Sequence, residues 1–417
     1  MARKSTFSTL MGGDPWIWGI YIILIFISLI ELGSASSRLA YREITNDNPL
    51  MSHAKHIMAG FFIFIWGLNK LTSANVRWVK RFGALCFIAG VVLMALLPFF
   101  GREVNGARRD IFGIQPVELC KLGLVICLCR VVVANDNRFR LSFFRKNPEL
   151  RRYILMLVMM ALTIVPIALQ NLSSAIILTL AAFGIMFMGK VNGKYLWRTL
   201  ASGILAAGVL IGLLFGLHEL NQSSEDGGGR HHTELGPLSR ANTWEHRLFH
   251  GDSRPLWEQE INDENMQVMY AHMAIANSNG IGTFVGESQM RDHLPEAYSD
   301  YIYAIIFEET GILGAALVMV LYFVLLWRCY KVSLKADDPL MRLLMTGLPL
   351  LIVIQALVHM GVSTDAMFVT GQPLPLISRG GSAMMGASAI FGILMGLSEN
   401  IRRDDIEKSL RKGAEEE

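Results

Sequence analysis

Residues 291–314 read RDHLPEAYSDYIYAIIFEETGILG, and this stretch decides how the chain folds. A polar, acidic mouth runs straight into an apolar, helix-like segment. Asp300 stands at the start of the apolar run, and Glu308 and Glu309 lie one to two helical turns deeper. A carboxylate at membrane depth is costly unless it is paired or faces a wet cavity, so such residues are functional candidates by default. For Glu308 and Glu309 an ion pair that fixes helix packing is an equal alternative. Asp300 differs from both. At the water boundary it ionises at little cost and can still reach a polar substrate, which makes it the candidate for chemistry.

Composition extends this reading to the whole chain. Of its 417 residues 52% are hydrophobic and only 18% charged, where a soluble domain carries about a quarter charged. The charges fall in short clusters between apolar runs of the roughly 20 residues that span a bilayer core. About ten such runs are expected, near 16–33, 56–72, 82–100, 116–134, 152–168, 172–189, 198–218, 301–327, 343–362 and 382–398. The chain therefore reads as a single all-α polytopic membrane domain over residues 1–417, its first apolar run a retained helix rather than a removed signal peptide. Cys86, Cys120, Cys127, Cys129 and Cys329 lie in or beside the apolar runs, without metal-site spacing, and read as buried apolar residues. The net charge of +3 is spread over loops, not gathered in a patch for nucleic acid.

Basic clusters orient the stack. Lys80 and Arg81, the run from Arg138 to Arg152, Lys190 and Lys194, Arg328 to Lys335, and the tail 401–417 alternate as inner loops. Both termini are then cytoplasmic. Residues 219–299, between spans seven and eight, form a large extracytoplasmic loop that opens with the low-complexity NQSSEDGGGRHH. His231, His232, His246 and His250 fall in it without metal-ligand spacing and read as solvated.

Three features on the outer side point to an anionic ligand. Residues 102–113, REVNGARRDIFG, place Arg102, Arg108 and Arg109 against the orientation rule, and a lipid phosphate would give that exception a reason. In the next helix Glu118 and Lys121, three residues apart, share a face and can pair. That pair is either structural or positions the Asn105–Arg109 loop or a pyrophosphate. Finally, residues 369–386 read VTGQPLPLISRGGSAMMG. Pro373 and Pro375 preclude a regular helix, and Gly380 and Gly381 allow close backbone approach. Ser378, Arg379 and Ser382 then lead into a helix N-terminus, a ready anion site, although an ordinary re-entrant turn would read the same way.

These stretches, in this order, resemble those of the SEDS proteins (shape, elongation, division, sporulation), membrane glycosyltransferases that polymerise peptidoglycan. ELGSASSRLAY is similar to the family's serine-rich end of the first helix, and NGARRDI and QPVELCK to its NG-x-RRW and QPSE-x-K stretches. MQVMYAHMAIANSNGIGTFVG, the LPEAYSD segment and VTGQPLPLISRGGS complete the match, which favours the division branch over the elongation branch. Departures are Asp110 for Trp, Asn171 for Asp, His359 for Asn and Arg379 for Tyr.

The resemblance implies lipid II as substrate, a β-1,4 glycan as product and undecaprenyl pyrophosphate as leaving group. It makes Asp300 the general base, and Asn105, Arg108, Arg109, Gln115, Glu118, Lys121, Gln267, Glu296, Ser378, Arg379, Gly380, Gly381 and Ser382 the substrate-binding set. It implies no resident cofactor, leaving Mg²⁺ or Mn²⁺ open. Its implied partners are a class B penicillin-binding protein and other divisome membrane proteins, at the septum of a bacterial inner membrane. A lipid II flippase is the rival from another class, and a non-catalytic division scaffold the third reading. A flippase needs polar residues towards both faces, whereas here they cluster towards one.

Overall fold

A computed structural model describes residues 12–35, 49–74, 76–104, 107–111, 113–134, 148–205, 208, 212, 260–262, 265–294, 298–367 and 370–415. Ten named helices result: α1 (Pro15–Ala35), α2 (Pro49–Ala74), α3 (Val76–Phe100), α4 (Pro116–Val133), α5 (Pro148–Gln170), α6 (Leu172–Met188), α7 (Met266–Asn277), α8 (Ile302–Ser333), α9 (Pro339–Ser363) and α10 (Gly381–Glu415). Residues 193–205 are helical too. Six helices (α1, α3, α5, α8, α9 and α10) are long and apolar enough to cross a membrane, and α6 is a shorter apolar helix. The tail expected from 401 onwards continues α10 without a break. His231, His232, His246 and His250, and residues 219–259 as a whole, lie outside the described residues.

Among the described residues the named strands are two. Within the stretch 102–113, expected as a loop, β1 (Arg102–Val104) and β2 (Ala107–Asp110) pair antiparallel, with Arg102 opposite Asp110 and Glu103 opposite Arg108. Asp110 has a local use: its Oδ2 accepts the Gly113 N–H at 3.1 Å and closes the turn below the hairpin. Asn171 likewise caps α6, its Oδ1 accepting the Ser174 N–H at 3.1 Å. That cap separates α5 from α6 after a single residue.

The helices pack closely because small residues line their contacts. A Cβ on Gly392 of α10 would lie 2.6 Å from the Phe64 carbonyl of α2, and one on Gly90 of α3 would lie 2.9 Å from the Cys120 N of α4. Such close backbone approach is how helices gain packing energy where lipid tails are as apolar as leucine. In α4 and α9 almost every side is buried, which makes them the centre of the bundle. All five cysteines are free and buried.

Polar contacts define two opposite faces. At one, the start of α1 meets the last turns of α8 and the middle of α10: Gly13 N donates to Glu399 Oε2 at 3.0 Å and Asp14 N to Ser398 Oγ at 3.0 Å. Arg328 clasps Asp14 with Nε and Nη2, at 3.0 and 2.7 Å to Oδ2. The other end of α8 carries Asp300, the hairpin, α7 and the 370–380 turn.

Near that second face α8 breaks. Gly311 has φ 68° and ψ −165°, a region open essentially to glycine alone. The loop 280–284 lies against the break and takes up the freed backbone groups: Ile312 N donates to Gly280 O at 3.1 Å, Thr283 N to Glu308 O at 2.9 Å and Phe284 N to Glu309 O at 3.0 Å. Gly311→Ala would place a Cβ 2.5 Å from the Ile281 backbone. It is expected to cost about 1–3 kcal/mol and to lower the midpoint of thermal unfolding in detergent. Gly19→Ala, whose Cβ would meet nothing within 4 Å, should leave that midpoint unchanged.

Candidate functional site

Asp300 ends the turn that precedes α8 and is half-buried. Ser299 Oγ donates to its Oδ1 at 3.0 Å. Its other oxygen faces Gly371, where a Cβ would lie 3.2 Å from Oδ2. Gly371 has φ +58°, so both its shape and its backbone suit a residue without a side chain. The carboxylate is thus seated by neighbours that restrict where it can point.

The 370–380 turn that supplies this seat is non-helical, as Pro373 and Pro375 require, and its carbonyls are claimed one by one. His359 Nδ1 lies 2.6 Å from Gln372 O; a carbonyl only accepts, so that nitrogen carries the proton. Gln355 Nε2 donates to Pro373 O at 3.1 Å, and Tyr322 OH to Pro375 O at 2.5 Å. Ser28 Oγ donates to Ile377 O at 2.7 Å and meets His53 Nε2 at 2.8 Å. Ser378 is buried, with Oγ accepting from Leu374 N and donating to Ser299 O, both at 2.7 Å. Arg379 N donates to Tyr298 O at 2.9 Å, and its guanidinium lies over the Tyr298 ring, 5.1 Å from the centroid. Ser378 and Arg379 therefore bind the 298–300 turn and the 370–380 turn into one unit.

That unit continues into the start of α10. The first intrahelical bond there runs from Met384 N to Gly380 O at 2.8 Å, so the N–H groups just ahead of it open the helix towards the site. Ser382 Oγ accepts from Gln115 N at 3.3 Å and reaches Gly113 O at 3.4 Å, tying α10 to the start of α4. His56 lies against Gly381, where a Cβ would fall 2.7 Å from Nε2.

One turn deeper, Lys121 Nζ binds Glu118 Oε1 at 2.8 Å and stands 3.5 Å from Gln355 Oε1. The pair lines a cavity of about 20 Å³ together with Gln355, Pro375 and Gly386, enough for roughly one water. Both ends of Gln355 are thus engaged, one by Lys121 and one by the carbonyl of Pro373. Lys121 is buried, so it touches the site through Gln355 and Pro373.

Glu308 and Glu309 serve the loop ahead of Asp300. Glu308 accepts from Asn277 Nδ2 at 2.7 Å, from Gln289 N at 3.1 Å and from Ser288 Oγ. Glu309 accepts from Ser34 Oγ, and Arg291 joins them, with Nη1 2.9 Å from Ser34 Oγ and 4.0 Å from Glu309. Of the two readings open for these carboxylates, this geometry favours the packing one. Asn105 and Glu296 lie outside the described residues, and of Arg108 and Arg109 only the β2 backbone is described. Gln267, in the first turn of α7, is half-buried and gives no side-chain hydrogen bond to either turn. Residues that sequence reasoning passed over are Ser299, Gly371, Gln355 and His56. Gln355 and His56 were visible as polar side chains inside apolar runs. Among the described residues no cluster of three or more His, Cys, Asp or Glu is placed to hold a metal ion.

The family model for FtsW, RodA and SpoVE, described as cell cycle proteins, matches residues 15–403. The chain belongs to this family. Among its relatives is the probable peptidoglycan glycosyltransferase FtsW of Dichelobacter nodosus, 29% identical over 387 residues that cover 90% of this chain and 87% of that one. The stage V sporulation protein E of Bacillus subtilis is 25% identical over 395 residues, 92% of this chain and 96% of that one. In fold the chain is similar to Thermus thermophilus rod shape determining protein RodA, with a TM-score of 0.61, 20% identity, and 94% and 98% of the two chains covered. It is also similar to a chain in a structure described as a peptidoglycan synthase complex that coordinates polymerization and crosslinking, with a TM-score of 0.65, 19% identity, and 94% and 99% coverage.

The Glu118–Lys121 pair gives a direct test of how this site is held together. Lys121→Met leaves the half-buried Glu118 without its cation and is expected to cost up to about 3 kcal/mol, the low end for a buried pair. Adding Glu118→Gln should recover most of that loss, read as the midpoint of thermal unfolding in detergent.

Proposed function

We propose that this chain is a peptidoglycan glycosyltransferase of the inner membrane that polymerises lipid II into β-1,4-linked glycan at the division septum. The observation that carries the reading is the seat of Asp300. One half-buried carboxylate is held between Ser299 and Gly371, at the rim of a bundle, in a turn whose Tyr298 lies under the Arg379 guanidinium and whose backbone is bonded to the segment leading into a helix N-terminus. Relatives named FtsW over most of their length support the chemistry and favour the division role over elongation.

In this reading Asp300 takes the proton from the 4-hydroxyl of the acceptor sugar. The freed oxygen attacks C1 of the donor sugar, and the C1–O bond to pyrophosphate breaks with inversion. A carboxylate within hydrogen-bond reach of the attacking hydroxyl contributes about 10²–10⁴-fold. Charge grows on the departing lipid pyrophosphate. In this reading Arg379 and the N–H groups at the start of α10, at Gly380, Gly381 and Ser382, meet it, with Arg108, Arg109 and Asn105 as further ligands. Gln115, Glu296 and Gln267 are the remaining substrate-binding residues of this reading. Lys121, Glu118 and Ser378 act by positioning, because their polar groups are already engaged with protein. Assays with and without Mg²⁺ or Mn²⁺ decide whether a cation shares the pyrophosphate charge.

The likeness to a chain from a polymerisation and crosslinking complex supports a class B penicillin-binding protein as partner, with other divisome proteins around it. The basic loops support ten spans, both termini in the cytoplasm and residues 219–299 outside. The contacts among Gly13, Asp14, Arg328 and Glu399 support part of that order, since they bring the start of α1 and the end of the last span to one face.

Two experiments test the reading. Purified protein with lipid II, with and without its transpeptidase partner, should yield glycan polymer on a gel. Asp300→Asn should abolish that polymer while leaving the unfolding midpoint unchanged. A fully active variant would remove the general-base role. For topology, a cysteine near Gly228 should react with an impermeant thiol reagent when only the outer barrier is opened, and one near Asn137 should not. The reverse pattern would put Asp300 on the cytoplasmic side and overturn the enzymatic reading.

A further inference from the structure

On the face that carries the chain ends, α8 presents Arg328 and Lys331 at i and i+3, and Lys335 follows in the turn just beyond its last residue, Ser333. These three cations form one wall of an open cavity of about 350 Å³. Ser398, Arg402 and Asp405 of α10, Gly13, Asp14 and Pro15 at the start of α1, and the apolar Val332 and Ile401 complete the lining. Four cations against two carboxylates leave the lining with two positive charges in excess. Glu399 behind the cavity pairs with Arg402 at 2.7 Å and with Arg403 at 2.9 Å; counted together with Arg403 it leaves the excess at two.

The cations differ in how firmly they are engaged. Arg328 is fixed by its two bonds to Asp14. Lys335 meets Asp405 at 2.9 Å in a pair whose side chains are 64% and 49% exposed, and such pairs are weak enough to exchange partners. Lys331 pairs with no carboxylate among the described residues, and its ammonium lies 5.5 Å from the Trp327 ring centroid. Trp327 is itself 54% exposed, the position of an aromatic residue at a membrane interface. From the break at Gly311 to Lys331 the helix covers about 30 Å, one hydrocarbon core. The cavity therefore sits at headgroup depth, with polar walls and an apolar floor.

We propose that this cavity binds the phosphate of an anionic membrane lipid, with Lys331, Lys335, Arg328 and Arg402 as its ligands. Basic pockets between membrane helices at headgroup level take anionic lipids in this way, each cation near the surface adding to affinity. The ligand chemistry is a phosphate carrying net negative charge, and free phosphate is the other source of it. The proposal needs only that the helices are embedded in a bilayer. It is independent of the role of Asp300.

The test uses the full chain, extracted from mixed phosphatidylcholine and phosphatidylglycerol bilayers, with co-purifying lipid counted by native mass spectrometry. Wild type should retain phosphatidylglycerol in preference to phosphatidylcholine. Lys331→Gln with Lys335→Gln, both exposed and outside the Asp14–Arg328 clasp, should lose about fivefold of that preference per lysine removed. Lys190→Gln with Lys194→Gln, exposed lysines outside the cavity, should lose none. If inorganic phosphate displaces the lipid, the phosphate group alone is recognised; if it does not, the intact headgroup is. Equal retention by wild type and the cavity variant, or equal loss in both double variants, would overturn the proposal.

Discussion

The hydrocarbon interior of a membrane offers no partner to a backbone N–H or C=O, so every departure from helix inside it has to be satisfied by protein. This bundle departs from helix in two places close to Asp300, and both are built around that constraint. At the Gly311 break, the 280–284 loop supplies and accepts the missing backbone bonds. In the 370–380 turn, side chains from α1, α8 and α9 take the carbonyls individually. Ser28, Tyr322, Gln355 and His359 are polar residues in otherwise apolar helices. Each is explained by the carbonyl it holds.

From that satisfaction follows the placement of the catalytic candidate. Asp300 is not aimed by its own helix alone, because it precedes the first turn of α8. Its direction depends on Ser299 on one side and Gly371 on the other, and Gly371 is held by the bonds that fix Gln372 and Pro373. The chain Glu118–Lys121–Gln355–Pro373 therefore reaches the carboxylate without touching it. A buried ion pair is poor evidence for stability by itself, but here it also orients a glutamine that holds the turn. His359 illustrates how a family departure is absorbed. Its Nδ1–H meets the Gln372 carbonyl, which needs only a donor at that point.

The two faces of the bundle use charge differently. Towards Asp300, carboxylates are desolvated and locked by short local networks, as Glu308 and Glu309 are by Ser34, Asn277, Ser288 and Arg291. Towards the chain ends, Lys331 and Lys335 stay exposed, one over the Trp327 ring and the other in an exposed pair with Asp405. The first arrangement suits a fixed site for chemistry, and the second suits exchangeable contact with headgroups.

The sequence by itself determined the class of the protein, because apolar runs of membrane length and clustered charge need no tertiary information to be read. It also determined the prominence of Asp300, since a carboxylate at the mouth of an apolar run is conspicuous one residue at a time. Spacing alone disclosed the Glu118–Lys121 pair, three residues apart on one helix. Tertiary structure decided everything that joins distant segments. Gly371 beside Asp300, Gln355 against Lys121, and Ser382 against Gln115 involve residues 71 to 267 positions apart, and no local period encodes such contacts. It also decided between the two readings of Glu308 and Glu309. A buried carboxylate has the same letter whether it meets substrate or a loop's N–H groups, and only the partners around it tell these apart.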